Sequence, residues 1–446
     1  MRVLLSLVLI LFFGVNYAYS YELSFPKERN FLVKTDYVFF AGKIDKNEEF
    51  SINNEKVYIA PNGAFAHSIK LKDGENRIIL KSNYNTHLYK VYKESLKTKL
   101  NQELIEFDKR LFEVNKDNIP LRSTPVDAGM NRLSHLFKGT KLLLNGEKGD
   151  FYRVYLSKDQ EAWIGKEFVT ACDLIGVPEF ITMDNTTYKN ASKYHIEFTE
   201  KLPYVIEETD EELIFKVYNS MLAGGSVYTI NVKKPKKYSY DISLKNGAYF
   251  FKISKLPDVK NALEGLTITL DAGHGGTEKG AIGCLGDKEK DLNLKIVNEL
   301  KEKLIQLGAD VVLTRENDKN VALEERVKIA KNNFTNIFIS VHLNSIPDVK
   351  FNVHKHQGTS VYYYNLNSKI LANSIKNSLI DKIKTRDDGT RAASFAVIRP
   401  TEYLSVLIEV AYMTNPIDSV LYTKETFASE AADGIIEGLL NFINSK

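Results

Sequence analysis

Cysteine is scarce in this chain: Cys172 and Cys284 are the only two in 446 residues. They fall in different expected domains, so a disulfide between them is not favoured, and large cores make none necessary even in an oxidising compartment. No cysteine follows the first apolar run, which argues against a lipid-modified N-terminus. Charge of one sign is also lacking. Sixty Lys+Arg against 57 Asp+Glu leaves a formal net charge of +3, so there is no electrostatic case for nucleic acid as a partner. Beyond the N-terminus no stretch is long and apolar enough to cross a bilayer.

Hydrophobic residues are plentiful. At 43% they can fill several cores, and the length suggests about three domains. Residues 1–20 stand apart: Arg2 gives a positive start, Leu4 to Phe13 is almost unbroken apolar, and Ala18-Tyr19-Ser20 is a small-x-small site. That layout is a secretory signal peptide, and its apolar run is short for an anchor helix. The expectation is an exported protein, periplasmic or associated with the cell wall outside the cell, with no stable membrane span after cleavage.

From residue 21 to 92 short alternating segments are punctuated by Asn53-Asn54, Asn62-Gly63 and Asp73-Gly74, which reads as a β-sandwich and resembles bacterial immunoglobulin-like modules. Residues 93–110 are charged and poor in turn residues and read as a linker, either a strand or a short helix. Residues 111–174, opening on Asn118-Ile119-Pro120-Leu121-Arg122-Ser123-Thr124-Pro125, are similar to bacterial Src-homology-3-like barrels, with both prolines in an opening loop. Residues 175–258 alternate again, as in His195-Ile196-Glu197-Phe198. They suggest another sandwich, similar to envelope-localising domains.

After Pro257 the rhythm changes. Leu266 to Leu270 is a strand ending in glycines, and Leu292, Ile296, Leu300, Leu304 and Leu307 share one helix face that Gly308 ends. Strands then alternate with helices to Phe442, the pattern of an α/β domain with a mostly parallel sheet flanked by helices, over residues 259–446. The fold class is therefore multidomain: sandwich, small barrel and sandwich, then the α/β domain.

Four stretches of this last domain carry chemistry: Asp271-Ala272-Gly273-His274-Gly275-Gly276, Glu289-Lys290-Asp291, Ser340-Val341-His342-Leu343-Asn344, and Glu409 with Thr414-Asn415 behind it. His274, His342 and Glu409 each lie at or just past a strand end, where sites form in such sheets. Two histidines and a carboxylate are the ligand set of catalytic zinc sites, and a second glutamate is what such a site needs to move a proton. Alone, Glu289 would read as an acid stabilising a helix start. Glu409, between Ile408 and Val410, is costly to bury unless it is paired or functional. His354 and His356 form an H-x-H pair that no carboxylate or cysteine completes.

With Leu313-Thr314-Arg315 and Leu323-Glu324-Glu325-Arg326, these stretches closely resemble the zinc-dependent N-acetylmuramoyl-L-alanine amidases, from about Leu266 to Phe442. The resemblance implies that His274, Glu289 and His342 hold one Zn2+ and that Glu409 is the catalytic glutamate. The reaction implied is hydrolysis of the amide between the lactyl group of N-acetylmuramic acid and L-alanine of peptidoglycan stem peptides. That activity would serve cell-wall remodelling or daughter-cell separation. Peptidoglycan is the expected partner, with an envelope activator protein as a further candidate. Asp271 and Asn344 are candidates for fixing the imidazole tautomers, and Arg391 or Arg399 for binding a substrate carboxylate. The rivals are a zinc peptidase acting within the stem peptide and a non-catalytic wall-binding or regulatory protein with an amidase fold. Where the family carries Gly-Phe after its glutamate, this chain has Ala411-Tyr412, so the pocket floor should differ. Cys284 reads as a loop residue rather than a thiol capping the metal. The short 345–357 segment leaves no room for the long inhibitory helix of some relatives.

Overall fold

The computed structural model describes residues 21–94, 103–173, 176–222, 225–245, 248–259, 262–346 and 356–445. The expected signal peptide and His354 lie outside the described residues. The first part of the chain is built from several sheets, and the five α-helices of the described residues all belong to the last domain.

The first unit, Tyr21 to Lys93, pairs a three-stranded with a five-stranded sheet. Strand residues of alternate parity point to opposite faces, and one parity of each sheet (Val38 and Phe40, Ile78 and Leu80, Tyr89 and Val91) fills the space between them. A seven-stranded sheet follows. Its strand Ile105–Val114 lies within and beyond the stretch expected to be a linker. Phe107 and Phe112 of that strand both pack against the Tyr152 ring, one edge to face and one tilted, so apolar contacts hidden among charges draw it into the sheet. The next unit has a four-stranded and a three-stranded sheet, and one apolar cluster runs through it and the seven-stranded unit together. Leu136, Leu144 and Val154 from one side join Tyr204, Phe215 and Tyr249 from the other.

The last domain carries a six-stranded sheet in the order Asp310–Leu313, Thr267–Ala272, Ile337–Asn344, Leu404–Tyr412, Thr359–Tyr363, Asp387–Ala392. Four neighbouring pairs are parallel and only Thr359–Tyr363 against Leu404–Tyr412 is antiparallel. Its central strands are apolar along their length because both faces are covered. Helices α1 (Glu289–Gln306), α3 (Lys369–Ile383) and α5 (Phe427–Asn444) pack Ile296, Leu300, Ile375, Leu379, Ile435 and Leu439 against Ile268, Ile339, Val406 and Ile408. Helix α2 (Leu323–Asn332) lies on the other face with Phe338, Tyr403 and Leu407, and α4 spans Pro416–Tyr422. Gly434 and Gly438 let α5 sit close on α3: an added Cβ would lie 2.8 Å from Leu379 Cα and 2.4 Å from Ile375 Cα. The strands ending at Ala272, Asn344 and Tyr412 are mutually parallel along the sheet, so their C-terminal ends form one rim.

Candidate metal centre at the strand ends

His274 follows the Thr267–Ala272 strand in a left-handed conformation, φ +60°, between Gly273 and Gly275. For a residue with a Cβ that conformation is strained, and it persists only where surroundings hold it. Here the holding groups are two buried arginines. Arg326 donates to the carbonyls of His274 (2.9 Å), Ala272 (2.8 Å) and Val321 (2.9 Å). Arg315 donates to those of Ala272 (2.8 Å) and Gly273 (3.0 Å).

Glu289 opens α1 with its side chain 5% exposed, and both its oxygens are used. Oε2 lies 3.1 Å from His274 Nε2 and accepts from Ala281 N at 2.8 Å. Oε1 lies 2.9 Å from His342 Nδ1 and accepts from Leu343 N at 3.2 Å. Burial pushes the Glu289 carboxyl up, but hydrogen bonds from both imidazoles outweigh it and hold the group well below the ordinary carboxylate range. The two imidazoles meet edge to face, with centroids 5.0 Å apart. One ligand atom from each of His274, Glu289 and His342 lies within 4.8 Å of the others.

These residues fit a metal ion. Two imidazole nitrogens and a carboxylate oxygen converge on one point, and glycine keeps the space around them clear. A Cβ at Gly280 would come within 2.5 Å of Glu289 Oε2 and 2.7 Å of His274 Cδ2, and one at Gly273 within 2.2 Å of the His342 ring. The point is open to solvent on one side, since the His274 side chain keeps 31% of its exposure.

Glu409 pairs in register with His342 on the neighbouring parallel strand. Among the described residues its Oε2 is shielded and has no hydrogen-bond partner, in contrast to Glu289. Burial first, and the nearby Glu289 carboxylate second, raise the Glu409 carboxyl well above its ordinary value. The four residues named from the sequence thus come from three strand ends and one helix start into a single site.

Other expectations are not met in the same way. Asp271 bonds neither imidazole: Oδ1 takes Thr314 Oγ1 and Arg326 at 2.6 Å each, and Oδ2 takes Ser340 Oγ at 2.7 Å. The carboxylate points into the floor beneath the histidine loop, where a buried guanidinium outcompetes a ring on the rim. Asn344 ends its strand two residues after His342, and its carbonyl accepts from Met413 N. Arg391, on the edge strand, grips Asp388 through both guanidinium nitrogens (3.0 and 2.8 Å). Arg399 bonds the Ser394 hydroxyl and carbonyl just before the Leu404–Tyr412 strand begins, at the end of the sheet away from the histidines. Cys284 is a free thiol, 1% exposed, that packs in an alanine-lined cluster rather than against the histidines. Burial pushes it up to about 12. Arg315, Arg326 and Gly280 had no role assigned from sequence. The signal was present for the two arginines, in the Leu-Thr-Arg and Leu-Glu-Glu-Arg stretches that carried the resemblance.

A family model described as N-acetylmuramoyl-L-alanine amidase matches residues 268–441. An uncharacterised protein of Bacillus subtilis (strain 168), YqiI, is 38% identical over 181 residues, covering 40% of this chain and 84% of its own. The N-acetylmuramoyl-L-alanine amidase LytC of the same organism is 35% identical over 213 residues, covering 45% of this chain and 42% of its own, so this chain matches less than half of it. Among solved structures, the catalytic domain of CwlV, an N-acetylmuramoyl-L-alanine amidase from Bacillus (Paenibacillus) polymyxa var. colistinus, is 33% identical. It aligns with a TM-score of 0.38, over 41% of this chain and 99% of its own. Through its C-terminal domain, this chain belongs to the N-acetylmuramoyl-L-alanine amidase family.

Proposed function

We propose that the protein is a zinc-dependent N-acetylmuramoyl-L-alanine amidase that hydrolyses the bond between the lactyl group of N-acetylmuramic acid and L-alanine in peptidoglycan. The observation that carries this reading is the His274–Glu289–His342 cluster with Glu409 in register beside it, its Oε2 without a partner among the described residues. His274 Nε2, His342 Nδ1 and a Glu289 oxygen are the donors that would hold zinc, a set matching catalytic sites with two histidines and a carboxylate. When bound, zinc supplies Lewis-acid polarisation of the scissile carbonyl and activates water.

The chain's own residues supply the rest. Glu409 Oε2 takes the proton from the attacking water and passes it to the departing L-alanine nitrogen, so one carboxylate serves both as base and as acid. Its two acids are assigned opposite work by their surroundings, because Glu289 is saturated with donors and Glu409 is not. Glycines around His274 let substrate approach the ligand edge closely. Arg315 and Arg326 fix the loop that carries His274, so the nitrogen is aimed before substrate arrives.

Action on peptidoglycan requires export, which residues 1–20 would direct, and none of the described helices is long and apolar enough to cross a membrane. An envelope protein that raises the chain's own basal activity belongs to the same proposal. Incubation of the purified chain with intact peptidoglycan, followed by mass analysis of what is released, tests it. Free stem peptides beginning with L-alanine, lost with a chelator and restored by zinc, are expected. Cleavage within the stem peptide would overturn the assignment of the bond.

A further inference from the structure

The outer face of the first unit should be polar, yet it is not. Strand Ala64–Lys70 sends Phe65 into the core of that unit, which leaves Ala64 and Ala66 facing out. Ala41, paired in register with Ala66 on the next strand, faces out beside them. All three are 0–1% exposed, as is Ala60 in the preceding loop. What covers them is the rim of the catalytic domain: Cys284, Ile346 and Tyr412 complete the same buried cluster, with Leu285 and Val420 at its edge. A hydrogen bond of 3.1 Å from Asn62 Nδ2 to Ser419 Oγ pins the contact.

The covered residues lie on the loops that carry the site. Cys284 sits between His274 and Glu289, Ile346 follows His342, and Tyr412 follows Glu409. They are tied to one another as well: Cys284 N donates to Met413 O, and Ile346 N to Thr414 Oγ1. Tyr412 donates through its phenol to Asp388, the carboxylate that holds Arg391. Small side chains on the first unit allow a close fit against all three loops at once. The fit does not seal the site, because the His274 side chain stays 31% exposed.

We infer that the first β-unit is a positioning element of the catalytic centre: by packing Ala41, Ala60, Ala64 and Ala66 on Cys284, Ile346 and Tyr412, it fixes the loops that frame the cleft in their productive arrangement. The inference rests on the amidase reading above. It makes the unit part of the enzyme's working form rather than a detached spacer.

Two variants of the full chain test it. Ala64→Asp places a charge in the contact. It should lower kcat about tenfold or more, since small misplacements of reacting groups cost that much. Bound zinc per chain should stay unchanged while amide hydrogen exchange of residues 283–286 accelerates. An Asn62→Cys/Ser419→Cys pair in a Cys172→Ser background locks the contact when oxidised, and the oxidised form should turn over within about twofold of its reduced form. Unchanged kcat in Ala64→Asp would overturn the inference, whatever the exchange shows. So would a lock that silences the enzyme until it is reduced, since docking would then be inhibitory. If the unsubstituted zinc-loaded chain releases no stem peptide, the amidase reading fails and the inference falls with it. If it releases them and Ala64→Asp does so equally well, only the inference fails.

Discussion

Replacing Arg326 with methionine removes the counter-ion from the floor of the site. The Arg326 and Asp271 side chains are 2% and 1% exposed and 2.6 Å apart, so neither charge can turn to water. Leaving one member of a buried pair without its partner costs about 3–5 kcal/mol. The carbonyls of His274 and Val321 also lose their Arg326 donor, whereas Ala272 keeps Arg315. These losses overlap rather than add, so the expected destabilisation is about 4–6 kcal/mol. Helical circular dichroism in a urea titration is the right assay, because the described helices all lie in this domain and the single tryptophan, Trp163, does not. The pH dependence gives a second check. Burial pushes the Asp271 carboxyl up, but Arg326 and the Thr314 and Ser340 hydroxyls outweigh it and hold the group below its ordinary range. A depressed folded value gives stability that is present above the unfolded pKa of about 3.9 and lost as pH falls through the folded one. In Arg326→Met that stabilisation is already gone, so the variant's deficit should shrink below about pH 4. A deficit under about 1 kcal/mol, or one that does not change with pH, would refute the reasoning.

Gly280→Ala strains a residue at φ +66° and drives a Cβ to 2.5 Å from Glu289 Oε2. Chelator competition should show zinc affinity lowered about 10–100-fold, and wild-type affinity would remove the glycine from the account. Asp418, raised to about 6 by burial although backbone N–H groups of Gly358 and Tyr412 hydrogen-bond it, behaves in the opposite sense to Asp271. A raised folded value means its contribution is fully present below about pH 4 and declines as pH rises to about 6. Asp418→Asn should therefore gain stability relative to the parent at neutral pH, by up to about 3 kcal/mol, and gain none near pH 4. Thermal melts at the two pH values decide it, and an equal difference at both would contradict the assignment.

The four residues of the candidate site were legible in the sequence because each is bracketed by local signals. Glycines flank His274, a helix begins at Glu289, and His342 and Glu409 follow apolar runs within two or three residues of their strand ends. What escaped was long-range. Nothing near Asp271 announces Arg326, which lies 55 residues on, so an acid beside a histidine motif suggested an imidazole partner that the fold does not supply. The edge strand Asp387–Ala392 reads Asp-Asp-Gly-Thr-Arg-Ala, with no apolar alternation to betray a strand that buries none of its residues fully. The charges of the strand opening at Ile105 masked its place inside a sheet rather than in a linker. The alanines that seat the first unit on the catalytic rim are ordinary strand residues locally, and only the register of Ala41 with Ala66 turns them into a surface.

The central claim is that three residues hold the metal and a fourth moves the proton, and the two roles separate experimentally. Zinc content and stem-peptide release should be measured together for the unsubstituted chain, His274→Ala and Glu409→Gln. One zinc per chain is expected in the first and the last, a marked loss in His274→Ala, and release only from the unsubstituted chain, with Glu409→Gln slowed by at least about 100-fold. Glu409→Gln turning over at the parent rate, or His274→Ala holding zinc as tightly as the parent, would contradict the account.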